Sequence, residues 1–81
     1  MDTEQRAIRA QQLIEDPLLC EVLEQIEKAA IDAWQATKTD NVAQREFSWL
    51  TVKVVNRIRD ALQGVVDNQL IEASIAARAP R

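Results

Sequence analysis

Four acids recur along one stretch of the chain, Glu21, Glu24, Glu27 and Asp32, with Lys28 among them. Carboxylates on neighbouring helical turns can exchange protons or hold two metal ions inside a helical bundle. That chemistry needs them turned inward, and here they fall on the polar side, opposite the apolar positions. They read as a solvated acidic face with helix-local ion pairs. The chain has no His and no Tyr, which removes the commonest general base and imidazole ligand and leaves no Ser-His or Cys-His pair to assemble. No catalytic residue, cofactor or metal is expected.

Two other groups could carry chemistry. Cys20 lies near a helix start, where the dipole favours a thiolate, but its place at the edge of an apolar stripe suits a small hydrophobe better than a nucleophile. Lys53, Arg57 and Arg45 share part of one helix side with Trp49, an arrangement able to touch phosphates and stack a base. Glu46 and Asp60 lie close by, and the net charge of the 81 residues is -3. That balance argues against a dedicated nucleic-acid binder and for pairing with an acidic helix or a protein partner.

The elements that must position these residues are helices. One Gly and two Pro leave few turns, and 47% hydrophobic against 28% charged residues describe a folding chain. A single cysteine excludes an internal disulfide, and no signal-like or spanning apolar run is present, so a soluble, reducing, intracellular setting is expected. Asp2 with Gln5 forms a reciprocal cap for a short helix over 3–14. Asp16 followed by Pro17 starts the clearest helix, over 17–37. "TKTDN" is a short polar link, and Asn41 with Gln44 opens the next helix over 42–66. Gly64 and the Asp67-Asn68 pair offer a turn, after which a last short helix over 69–78 ends before Pro80.

The stretch "FSWLTVKVV" has strand-like letters, yet its alternation fails and a helical series runs through both flanks: Ala43, Phe47, Leu50, Val54, Ile58, Ala61, Val65. This stripe is expected to face the helix that begins at Asp16, whose apolar arc is wide enough for two neighbours. From Glu15 to Asp32 there are six acids and one base, and from Ala33 onward bases outnumber acids. An acidic element followed by a basic one suits an antiparallel pair. The expected fold is therefore all-α: a single domain built on a long antiparallel helical hairpin, with short helices at both ends.

Trp49 and Val52 fall away from the stripe and form a second apolar patch. With Trp34, and with Leu70 and Ile71 beyond the phase break, they are the expected partner interface, since Trp and Arg are typical interface anchors and an exposed apolar patch marks a contact; the alternative is that Trp49 folds onto the N-terminal or C-terminal helix of the same chain. Self-association is one form of this, because a chain so short buries only about 60% of its unfolded surface.

"RAQQLIEDPLLCEVLEQIEKAAIDAWQAT" and "REFSWLTVKVVNRIRDALQGVVDNQLIEA" resemble a group of short helical proteins encoded by tailed bacteriophages. The motifs concerned are an "LL-x-DPL" type start at Leu13 through Leu18, an "AW-x-A-T" helix end at Ala33 through Thr37, and an "R-x-x-x-WL" lead into the second helix at Arg45 through Leu50. The resemblance implies a phage origin near genes for virion assembly or DNA packaging, and it carries over no functional residue. With it, the expectation is a non-enzymatic viral protein of the host cytoplasm or the virion, acting on a protein partner or on itself and not on a membrane. Two alternatives stand beside this. An acidic inhibitor would offer Glu21, Glu24, Glu27 and Asp32 to a basic groove of a host protein, and a DNA-packaging adaptor would use Lys53, Arg57 and Arg59.

Overall fold

The computed structural model describes residues 1–78, and the expected stop before Pro80 lies outside them. Among the described residues the chain forms three α-helices and no strand: α1 (Thr3–Ile14), α2 (Pro17–Ala36) and α3 (Val42–Arg78). Each start has a local cause. Asp2 accepts the Gln5 N-H at 2.8 Å while the Gln5 side chain accepts from Asp2, a complete capping box. Asp16 accepts the Leu19 N-H at 2.8 Å, with Pro17 in the first turn. Asn41 accepts the Gln44 N-H at 3.2 Å.

The turn expected at Gly64 to Asn68 does not form, and α3 runs unbroken to Arg78. Gly64 keeps a helical backbone, and a Cβ placed on it would meet nothing within 4 Å. Two features hold this section helical. Gln63 donates to Asp67 one turn on, at 3.1 Å. The start of α1 lies alongside, so that Thr3 and Arg6 share a depression with Val65, Asn68 and Glu72. Packing against a neighbour compensates for a helix interior that carries Gly, Asp and Asn.

Helix α3 is the common partner: α1 and α2 each pack along it and touch one another little. Val55 and Ser48, both 2% exposed, mark its inward side, and the half-buried Val52, Arg59, Leu62 and Val66 continue that side at spacings of three and four. This corrects the expected orientation. Phe47, Leu50 and Val54 were expected to face α2, but Phe47 is 67% exposed and its neighbours on the stripe are open as well. At about 100° per residue, α3 carries two apolar stripes about 120° apart, and its partners can cover one of them. The stripe through Phe47 runs into the polar Asn68 and Glu72, whereas the line through Val55 continues through the apolar Leu62, beside Leu13 and Ile14 of α1, and Val66.

The core is thin. Ala7, Ala10, Leu23, Ala30 and Val55 are its buried apolar residues, and no large side chain is fully enclosed. The outline is long, 64 × 25 × 16 Å, with a radius of gyration of 18.0 Å where a compact chain of this length would have about 12 Å.

Candidate interaction surfaces

At the end of α2 and the start of α3, Trp34 and Trp49 border one open depression together with Val42, Arg45 and Glu46. Trp34 is 51% exposed and Trp49 56%. The Lys53 ammonium lies 5.0 Å from the centre of the Trp49 ring, in cation-π geometry. The Arg45 Nε is buried in the wall of this depression and has no hydrogen-bond partner. These side chains make an amphipathic corner with two ring faces towards solvent.

The other expected interface residues do not join them. Val52 is half-buried and belongs to the inward line of α3, so the patch it was expected to form with Trp49 is not assembled. Leu70 and Ile71 are exposed, but 21 residues separate Trp49 from Leu70, about 32 Å along a straight helix. With Ile75 they form a separate apolar end of α3.

A larger open surface is one that the sequence reading had assigned to the core. Ile26 on α2 and Phe47, Leu50, Val54 and Ile58 on α3 line a shallow groove floored by Leu23 and Val55. Leu18 and Val22 of α2 are exposed too. The second neighbour expected for the wide arc of α2 is supplied only at its start, where Leu19, Cys20 and Leu23 border Leu13 and Ile14 of α1, and Leu18, Val22 and Ile26 are left open. The signal was present in the sequence as two apolar stripes on α3, and what was missing was knowledge of which one the chain itself covers.

The acidic face is divided. Glu21, Glu24 and Asp32 are exposed, but Glu27 is half-buried and accepts a 2.7 Å hydrogen bond from Arg59 across the interface between α2 and α3. Arg59 also donates to Asn56 at 3.0 Å. The basic trio is divided in the same way, with Arg59 held by Glu27 and Lys53 over Trp49, which leaves Arg57 as the member outside such contacts. Cys20 donates a 3.1 Å hydrogen bond to the Ile14 carbonyl and lies half-buried beside Leu19, Leu23 and Leu62, the setting of a packing residue.

The chain matches no family model, no curated protein and no solved structure. Its chemistry is thus read from its own side chains. Among the described residues no group of His, Cys, Asp or Glu is placed to hold a metal ion, and no helix is long and apolar enough to cross a membrane. What the surfaces offer is contact area: an uncharged groove along α2 and α3, an aromatic corner beside it, and an apolar helix end.

Proposed function

We propose that this chain is a non-enzymatic protein that works through protein-protein contacts, as a small virion component or assembly factor of a tailed bacteriophage. The observation that carries the contact part is the groove of Ile26, Phe47, Leu50, Val54 and Ile58, whose large apolar side chains are all left at least 42% exposed. Burying a side chain of this size completely contributes about 1.5 to 3 kcal/mol, and the roughly half of that still ungained at each of the five is a strong reason for another surface to cover the groove. The phage part is supported by the resemblance at Leu13 through Leu18, Ala33 through Thr37 and Arg45 through Leu50.

In this reading α2 and α3 form an antiparallel hairpin. Three pairings support it: Trp34 beside Val42 next to the link, Glu27 with Arg59 further along, and Cys20 beside Leu62 further still. The competing reading as an acidic decoy is weakened because Glu27 is already neutralised within the chain. The DNA-packaging adaptor reading is weakened in the same way by the engagement of Arg59 and Lys53.

Mass spectrometry of purified virions tests the assignment. The protein is expected among the stoichiometric virion components or bound to an assembly intermediate. Its absence from both would remove this role.

A further inference from the structure

The open groove has an occupant that fits its area and composition. We propose that it is covered by a second copy of this chain, in a face-to-face pair about a two-fold axis. This deepens, and rests on, the reading of the protein as one that acts by protein contacts.

Area is the first argument. The chain exposes 6572 Å², where a compact monomer of 9.2 kDa exposes about 4,900 Å², a surplus of about 1,600 Å². A standard interface removes about 800 Å² from each partner, and obligate homodimers remove more. The surplus is therefore of the size that a permanent dimer covers. A chain with so few buried large side chains gains from a partner present at its own concentration, since folding and association then stabilise one another.

Composition is the second argument. No charged residue lines the groove: its walls and floor come from Leu, Ile, Phe, Thr and Val. A two-fold pair sets the same patch against itself, and such a patch meets no like-charge repulsion at its centre.

Sedimentation equilibrium of the full chain over a micromolar dilution series tests this, with far-UV circular dichroism as the check on folding. The wild type and Gln12→Ala, an exposed change on α1, are expected at twice the 9.2 kDa chain mass, and Leu50→Asp at the single mass with its helical signal retained. If Leu50→Asp loses that signal, Phe47→Ser gives the same reading from a more exposed site. A wild type at single mass overturns the proposal, as does a dimer indifferent to both groove substitutions. A monomer that is nevertheless found in virions would refute the dimer while leaving the protein-contact reading in place, and a dimer absent from virions would do the reverse for the virion role.

Discussion

Arg59 of α3 donates a 2.7 Å hydrogen bond to Glu27 of α2, and this pair is the one ion pair among the described residues. It draws one carboxylate out of the acidic face and one guanidinium out of the basic cluster, so neither charged surface is as complete as the sequence suggests. Both side chains keep partial solvent access, 37% for Arg59 and 28% for Glu27. The pair is therefore expected to contribute modestly. A double-mutant cycle with Glu27→Gln and Arg59→Met, followed by urea unfolding, should give a coupling of about 0.5 to 1 kcal/mol that shrinks with added salt. No coupling would mean that the pair adds nothing to stability beyond the solvation of its two charges.

Gly64 is expected to be a weak point and not a hinge. In a continuous helix with open space at its Cβ position, Gly64→Ala should raise stability by about 0.5 to 1 kcal/mol in thermal or urea unfolding. A loss of stability on the same change would restore the turn that α3 lacks.

The two sides of α3 should respond in opposite ways. Val55 is enclosed, and removing two of its methyl groups in Val55→Ala should cost about 1.5 kcal/mol. Trp49 is the larger side chain but stands open at the corner with Trp34, and Trp49→Ala should change stability by less than about 0.5 kcal/mol. Equal losses would mean that another part of the chain covers Trp49.

Asp16 closes the start of α2 with a 2.8 Å bond to the Leu19 N-H. Asp16→Ala should cost about 1 kcal/mol, and Asp16→Ser should recover most of it. Unfolding midpoints of the two variants give the comparison directly, and an unchanged midpoint for Asp16→Ala would show that the cap contributes nothing.

These cases mark where the sequence was informative. Asp2, Asp16 and Asn41 could be read because a cap needs only residues three apart, and the helical reading of "FSWLTVKVV" held because the spacing of apolar positions is a local property. Which side of α3 is buried is not local. Phe47, Leu50 and Val54 form the longer stripe, and a sequence reading turns the longer stripe inward. The structure buries the line of Ser48, Val52 and Val55, which stays apolar through Leu62, beside Leu13 and Ile14 of α1, and the half-buried Val66, where the Phe47 stripe turns polar at Asn68 and Glu72. The phase break at Leu70 and Ile71 was read as a turn, but a straight helix simply leaves both exposed at its far end. The candidate surface was thus visible as composition and hidden as orientation.

The central claim is that another protein chain covers the groove beside Leu50. A photoreactive residue at Leu50 of the full chain, compared with one at Glu24 on the polar face of α2, tests it most directly. The account predicts a discrete covalent adduct from Leu50, at twice the 9.2 kDa chain mass for the purified protein, and none from Glu24. No adduct from Leu50, or the same adducts from both positions, would contradict it.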